Sequence, residues 1–360
     1  MTKILVYFNS MHPSGGIERV IATLCNKLSA NYEITILVKD EPYSFYKLND
    51  NIVMHTLNNE LKFDMKSRFN RFFTALSTII SNTGKLRKYL KQNDYDYYYL
   101  AHPLNVLEFS LAGAENNKII ITEHGAKSAY NRIYRTVKNL LYKKCIAYVV
   151  PAKSDVADYQ NDGLPAIYIP HFRSDLPYTD SLKVNKIVLN IGRFTADKQQ
   201  LALLEIWEEV IQSPAATGWV LQIAGKGELE NELHNFVIEK NLQRSVEFLA
   251  PTKHVEQYYK NASIFALTSS SEGFGMVLLE AISFGLPCVS YDCPSGPRDI
   301  ITSGKNGYLV ELNNKNQFKE QLLSLIQNEQ SLKDMGEKAM ESSIGWNDSA
   351  VLSNWFSLFK

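Results

Sequence analysis

"KIVLNIGRFTADK", residues 186–198, opens with a β-rich apolar run and ends in a glycine, an arginine and, five residues later, a lysine. A short apolar run bounded by a turn residue predicts a strand covered on both faces, as in a parallel sheet. The theme repeats toward the carboxyl terminus. A helical pattern over 198–212 leads to "WVLQIAG" (219–225), a helix over 228–240 to "VEFLA" (246–250), and a helix over 253–260 to "SIFALTS" (263–269). A helix over 275–284 precedes "PCVSYDC" (287–293) and "GYLV" (307–310), and helices from 315 to 342 close the series. Strands alternating with helices give a parallel, doubly wound α/β sheet.

The same alternation precedes residue 186. "KILVYFN" (3–9), a turn at "HPSGG", a helical pattern from Ile17 to about Ala30 and "YEITILV" (32–38) read as strand, helix, strand. "YDYYYLA", "KIIITEH" and "IAYVVPA" continue as strands, and 61–93 reads as helical with a break near Asn82-Thr83-Gly84. The Pro-, Asp- and Ser-rich stretch near 170–185 is the linker. The expectation is two doubly wound, Rossmann-like α/β domains facing across a cleft. They cover 1–172 and 185–345, with a final helix over 346–360 packing back on the first. In such sheets ligands bind at the carboxyl ends of the strands.

Composition narrows the function classes. The 360 residues suffice for two cores, and the 38 basic and 38 acidic side chains balance. Residues 1–180 carry 22 basic and 17 acidic side chains, the rest 16 and 21, so the first half faces something modestly anionic rather than nucleic acid. Cys25, Cys145, Cys288 and Cys293 form no C-x-x-C, and no histidine cluster has zinc spacing; reduced thiols in the cytoplasm are expected. "MTKILVYFNS" is too short and polar for a signal peptide, and no apolar run reaches the roughly 18 residues of a membrane span.

Four features sit at strand ends of the second domain. "GRFTADK" supplies Arg193 and Lys198, "AGKGE" supplies Gly225 and Gly227, and "SEGFGMVLLE" (271–280) and "DCPSGPRD" (292–299) come after later strands. Strand–loop–helix junctions present unpaired backbone N–H groups and a positive helix end, and two cations beside them suit a diphosphate. Gly225-x-Gly227 lacks the third glycine of a dinucleotide fingerprint, since Glu230 stands there, and reads as a turn pair. "DYD" (94–96) could be a metal-holding D-x-D, or Asp96 could simply open the next strand. His124 ends a strand of the first domain and could face the cleft or act as a structural donor. Gly15 and Gly16 mark the first strand–helix junction, as a helix start or as backbone that approaches a ligand closely.

Together these residues resemble the large family-4 group of retaining glycosyltransferases, which have the GT-B fold. The hallmark is E-x7-E, here Glu272 and Glu280 in "EGFGMVLLEAISFGLP"; "IGRF…K", "IAGKGE", "GLPCVSYD", "NGYLV", "SGGIERV" and "TEHG" support it. The resemblance implies a UDP-sugar lying along the carboxyl edge of the second domain. Arg193 and Lys198 would neutralise the diphosphate leaving group without a metal, aided by the N–H groups of Gly275, Met276 and Val277. Glu280 would accept from the ribose hydroxyls. Glu272 would position hexose hydroxyls beside the backbone of Gly273, Phe274 and Gly275. His124 would approach the hexose, and Gly16 would let a loop close over the phosphates. Retention would result from front-face attack through an oxocarbenium-like state, with no enzyme nucleophile and no cofactor.

The pattern departs from the family at "IPHFRSD", where members often carry Asn-Gly and this chain has His171 and Phe172; no role is carried over there. "DCPSGPRD" resembles subgroups that build bacterial surface polysaccharides from UDP-linked galactose, N-acetylgalactosamine or glucose. The rival readings are another GT-B activity, such as a sugar phosphorylase or a nucleotide-sugar epimerase, and a nucleotide-sugar-binding subunit without catalysis.

Acceptor recognition falls to the first domain in this family. There Lys62, Lys66, Arg68, Arg71, Lys85, Arg87, Lys88 and Lys91 lie among Phe63, Phe69, Phe72 and Phe73, and Arg132, Arg135, Lys138, Lys143 and Lys144 form a second basic run. Basic helices with aromatics suit an anionic membrane surface, whereas an amphipathic helix with a core-facing Phe stripe gives the same pattern. The expectation is peripheral attachment to the inner leaflet and action on a polyprenyl-diphosphate-linked or other glycan.

Overall fold

The apolar runs become the strands of two parallel sheets, and the inner strands have both faces covered. The computed structural model describes residues 1–13, 15–59, 68–125, 132–179 and 185–359, with side chains left undescribed at 68–77, 132–134 and 137. Two compact units emerge: Met1–His124, Tyr130–Phe172 and Asp348–Lys360 in one, and Gly125–Ala129 with Arg173–Asn347 in the other.

The first unit holds seven parallel strands: β1 (Lys3–Phe8), β2 (Glu33–Val38), β3 (Val53–Thr56), β4 (Tyr97–Leu100), β5 (Ile119–Thr122), β6 (Ala147–Val150) and β7 (Ala166–Tyr168). Their order is β3-β2-β1-β4-β5-β6-β7, so the winding reverses between β1 and β4. Helices α1 (Gly16–Leu28), α2 (Arg68–Gln92), α3 (Pro103–Ala112), α4 (Arg132–Tyr142) and α5 (Lys153–Asn161) connect them. Side-chain alternation sorts the sheet into two cores. Ile4, Val6 and Phe8 pack with Ile21, Leu24 and Leu28 of α1, while Leu5 and Tyr7 pack with Leu86 of α2 and Phe109 of α3.

The second unit holds β8 (Ile187–Ile191), β9 (Val220–Ala224), β10 (Val246–Leu249), β11 (Ile264–Leu267), β12 (Cys288–Tyr291) and β13 (Gly307–Val310). Their order is β10-β9-β8-β11-β12-β13, again all parallel, with the reversal between β8 and β11. Helices α6 (Gln200–Val210), α7 (Glu230–Glu239), α8 (Glu256–Asn261), α9 (Met276–Ser283), α10 (Pro297–Ile300), α11 (Lys315–Gln327) and α12 (Glu329–Ser343) complete it. Val188 faces α6 and α11 through Leu204, Trp207 and Phe318, and Leu189 faces α8 and α9 through Tyr259, Leu278 and Ile282.

The last helix, α13 (Asp348–Leu358), belongs to the first unit. Its Asp348 pairs with Lys27 at 2.8 Å, and Trp355 lies 6.0 Å from the Tyr99 ring.

Two expectations are overturned by the structure. α2 runs unbroken through Asn82-Thr83-Gly84. A mid-helix glycine costs only about 1 kcal/mol, and Asn82 is completely buried, donating to Glu108 at 2.9 Å. That tie holds α2 to α3 where propensity alone would break it. The second difference is Lys138, which is no surface cation: it is 2 % exposed. Its Nζ meets the Glu123 carboxylate and lies 4.9 and 4.7 Å from the Tyr148 and Tyr159 rings. Of the other basic and aromatic residues expected at the surface, Lys62, Phe63 and Lys66 lie outside the described residues, as do the side chains of Arg68, Phe69, Arg71, Phe72, Phe73 and Arg132.

A second buried charge cluster sits on the same face of the sheet. Glu108 accepts from Lys39 at 3.0 Å, Tyr7 at 2.7 Å and Asn82 at 2.9 Å. Burial holds the Lys39 ammonium below its usual pKa even with Glu108 opposing the shift. Removing one member leaves a buried charge without compensation, which costs about 3–5 kcal/mol. Lys39→Met is therefore expected to lower the urea midpoint sharply, and Lys39→Met with Glu108→Gln to recover much of the loss.

Candidate active site

The reversal between β8 and β11 leaves a crevice at the carboxyl ends of these strands, where ligands bind in doubly wound sheets. The loops there hold most of the residues singled out in the sequence. The loop after β8 runs beside the loop after β9: Gly192 N–H donates to Ala224 O and Phe194 N–H to Lys226 O, both at 3.0 Å. Phe194 O accepts from Leu229 at 3.1 Å. The backbones are so close that a Cβ on Gly225 (φ +154°) would lie 1.9 Å from Gly192 O, and one on Gly227 2.4 Å from Phe194 O. The G-x-G pair is thus a brace for the Arg193 loop. Phe194 is buried as its anchor, and the Arg193 side chain is exposed.

The far end of that loop is tied to β11. Ser270 N–H donates to Asp197 O at 2.8 Å, and the Thr268 hydroxyl reaches Lys198 O and Gln199 O at 3.2 and 3.1 Å. These bonds set Lys198 Nζ 2.8 Å from Glu272 Oε1 and 3.6 Å from Asp197 Oδ2. Both members of the Lys198–Glu272 pair keep a little exposure, 17 % and 11 % of their side chains. Burial raises the Asp197 carboxyl, but the Thr195 hydroxyl at 2.6 Å and the charges of Lys198 and Arg193 outweigh it and hold the group below its ordinary pKa.

Glu272 leads into Gly273, Phe274 and the start of α9. Gly275 is the N-cap at φ +89°, and no side chain caps the helix. The next N–H groups, Met276 and Val277 among them, therefore belong to an uncapped helix start. Beneath, the loop after β12 presses on this turn: a Cβ on Gly296 (φ +93°) would sit 2.1 Å from Phe274 O. Arg298 clasps Asp292 at 2.7 and 3.0 Å and keeps that loop closed.

Glu280, the second glutamate of the motif, is in a different environment. It is 2 % exposed. One carboxylate oxygen accepts from the Tyr259 hydroxyl at 2.7 Å, and the other from the Ser174 hydroxyl. Neither partner could be found from sequence, because both are distant in the chain and carry no motif.

In the first unit, His124 comes just after β5. Its Nε2 is 2.9 Å from the Thr122 hydroxyl, and its backbone N–H donates to Glu123 Oε1 at 2.9 Å. Its ring stacks on His171 with centroids 5.5 Å apart and planes 9° apart. Burial pushes the His124 imidazolium down to about 4, with Glu123 opposing, and burial beside His124 pushes His171 down as well. His171 is a residue that sequence reasoning left without a role; its signal was the departure from Asn-Gly. Gly16 opens α1 with nothing within 4 Å of a would-be Cβ, so the fold itself does not demand glycine there. Asp96 sits at the amino end of β4, accepting from the Lys3 N–H at 2.8 Å, and Asp94 is 3.8 Å from Lys118. Both lie at the sheet edge opposite the strand carboxyl ends. Among the described residues no group of three or more His, Cys, Asp or Glu could hold a metal ion.

Comparison with known proteins bears on this geometry. Residues 14–172 match the model for Glycosyltransferase Family 4, and residues 179–342 that for Glycosyl transferases group 1. Over 99 % of both chains, the protein is 27 % identical to the amylovoran biosynthesis glycosyltransferase of Erwinia amylovora. It is 26 % identical, over 96 % of this chain and 95 % of the other, to a Campylobacter jejuni enzyme. That enzyme is named as an alpha-1,4-N-acetyl-D-galactosaminyltransferase for GalNAc-alpha-(1->4)-GalNAc-alpha-(1->3)-diNAcBac-PP-undecaprenol. Among solved structures, Staphylococcus aureus TarM in complex with UDP and alpha-GlcNAc-glycerol superposes with a TM-score of 0.81 at 16 % identity, covering all of both chains. With a glycosyltransferase domain matched in each half, full-length glycosyltransferase relatives and this architecture, the chain is a glycosyltransferase of the GT-B fold.

Proposed function

We propose that the protein transfers a hexose of the galactose, N-acetylgalactosamine or glucose type from a UDP-sugar to a lipid-linked or surface-polysaccharide acceptor, with retention of configuration and without a metal. The observation that carries the reading is the Lys198–Glu272 pair, held at the reversal of the second sheet beside the uncapped start of α9. Lys198 has three donor hydrogens and uses one on Glu272. The others, with the exposed Arg193 and the N–H groups of Gly275, Met276 and Val277, form a cationic cradle for a diphosphate. As the glycosidic bond breaks, negative charge grows on the departing UDP, and a preorganised cation that meets it there lowers the barrier. Glu272, with the backbone of Gly273 and Phe274, positions hexose hydroxyls, and Glu280 serves the ribose. His124 binds a sugar hydroxyl as a neutral imidazole, and Gly16 leaves room for a phosphate to approach its backbone. The UDP in TarM and the undecaprenol-diphosphate-linked glycan in the Campylobacter enzyme's name support this donor and acceptor class.

The first unit supplies a surface for such an acceptor. Lys85, Arg87, Lys88 and Lys91 of α2 and Arg135, Lys143 and Lys144 on and after α4 are exposed. Ile80 and Leu140 on the same two helices are also exposed, at 65 % and 66 %. Cations interleaved with apolar side chains suit peripheral attachment to an anionic leaflet, and among the described residues no helix is long and apolar enough to cross a membrane.

Three outcomes are expected. Glu272→Ala and Lys198→Ala should each lower transfer from a panel of UDP-Gal, UDP-GalNAc and UDP-Glc by about 100-fold or more, with the folded structure retained by circular dichroism and with wild-type activity intact in EDTA. Undiminished transfer in both variants sinks the site. The protein should bind anionic vesicles in a salt-sensitive manner, and no binding at low salt excludes the membrane role. The third outcome concerns pH. His124 is neutral when folded, with a pKa near 4 against 6.5 when free, and His102 is likewise pushed down to about 4. The unfolded chain therefore binds more protons between these values. The stability these histidines contribute is complete above about pH 6.5 and is lost as pH falls toward 4. Urea midpoints at pH 7.5 and 5.0 should show the fall, and His124→Gln should flatten it.

A further inference from the structure

Glu280 carries the ribose in the donor reading, yet in this structure its carboxylate already holds two hydroxyls, those of Ser174 and Tyr259. The two partners are anchored differently. Tyr259 is fully buried on α8, its ring stacked on Phe284 with centroids 5.3 Å and planes 8° apart. Ser174 lies in an irregular segment with no helix or strand around it. That segment rests on the second unit through Arg173, whose Nη1 is 3.5 Å from the Ser343 hydroxyl, and through Tyr178, which donates to Ser174 O at 2.8 Å and packs on Phe284 at 4.8 Å. One oxygen of Glu280 is thus held by a rigid aromatic donor and the other by a small hydroxyl on a loop.

We propose that the Ser174 hydroxyl is an internal stand-in for a ribose hydroxyl. When UDP binds, the ribose takes its place on Glu280, while Tyr259 keeps the carboxylate aimed. The inference rests on the donor reading above. It also accounts for a glutamate that is nearly sealed in this structure and yet serves a ligand: the buried carboxylate is never left without a donor, which would cost more than either bond is worth. The exchange has a sign. The Ser174 bond exists only in the unliganded state, so it works against UDP by its own net strength.

Calorimetry of UDP binding to the full chain tests this. Ser174→Ala removes the competitor, so the Kd for UDP should fall roughly tenfold, the scale of one hydrogen bond to a charged group. Its melting temperature without ligand should drop, and UDP should raise it by more than in the wild type. Ser174→Thr, which keeps the hydroxyl, should behave as wild type. Tyr259→Phe should bind UDP more weakly and raise the donor KM with little change in kcat, because it acts through the aim of Glu280. An unchanged or weaker UDP affinity in Ser174→Ala, with wild type binding normally, overturns this inference alone and makes Ser174 a structural tie. If the wild-type chain binds no UDP, the donor reading fails, and this inference with it.

Discussion

The ion pair of Lys198 with Glu272 rests on a loop that could not hold its course alone. Residues 192–199 contain only a single 3-10 turn over Ala196–Lys198 and leave β8 without a helix to stiffen them. Their path comes from both neighbouring strands. The end of β9 supports the first half through backbone bonds that glycine alone permits, and the end of β11 supports the second half through Thr268 and Ser270. A lysine on an unsupported loop would sample many rotamers, and its pairing would be worth little. Held on both sides and largely shielded from water, the pair is preorganised. The position of the pair is thereby made a property of the sheet order, since β9 and β11 are the two strands that flank β8.

That dependence explains what sequence could and could not disclose. Strands such as Ile187–Ile191 and Ile264–Leu267 were legible because both faces are covered, so their residues are apolar almost without interruption. β3 and β7 escaped notice because they are short and partly exposed, and Val53–Thr56 carries no apolar run. The loops that carry Arg193, Lys198 and Glu272 were legible as glycine-marked strand ends. The purpose of Gly225 was not, because the atom it avoids belongs to Gly192, 33 positions earlier. The partners of Glu280 were hidden for the same reason: Ser174 and Tyr259 reach it only through the folded chain.

Charge shows the limit of pattern most plainly. Lys138 stands in a run of basic residues and looks like its neighbours, yet the fold gathers Glu123 after β5, Tyr148 of β6 and Tyr159 of α5 around it. Lys39 and Glu108 repeat the arrangement beneath α2 and α3. Each cluster is neutral as a pair, so neither alters the net charge of its half. Among the described residues, the exposed cations of the two basic runs are Lys85, Arg87, Lys88 and Lys91 of α2 and Arg135, Lys143 and Lys144 on and after α4, without Lys138.

The two glutamates of one motif end in opposite surroundings because of what the fold sets against each. Glu272 faces a cation and keeps some access to water, so a ligand meets a carboxylate already neutralised, beside a lysine with donors to spare. Glu280 faces the Tyr259 and Ser174 hydroxyls in an almost closed site, where a buried acceptor is stable only with its donors in place. A phosphate entering there would meet a like charge, but a hydroxyl replaces a hydroxyl at little electrostatic cost. The spacing of eight positions thus sets two chemistries along one helix start. In the proposed donor reading, a diphosphate takes the end with Lys198 and a neutral, hydroxyl-bearing ring the end with Tyr259.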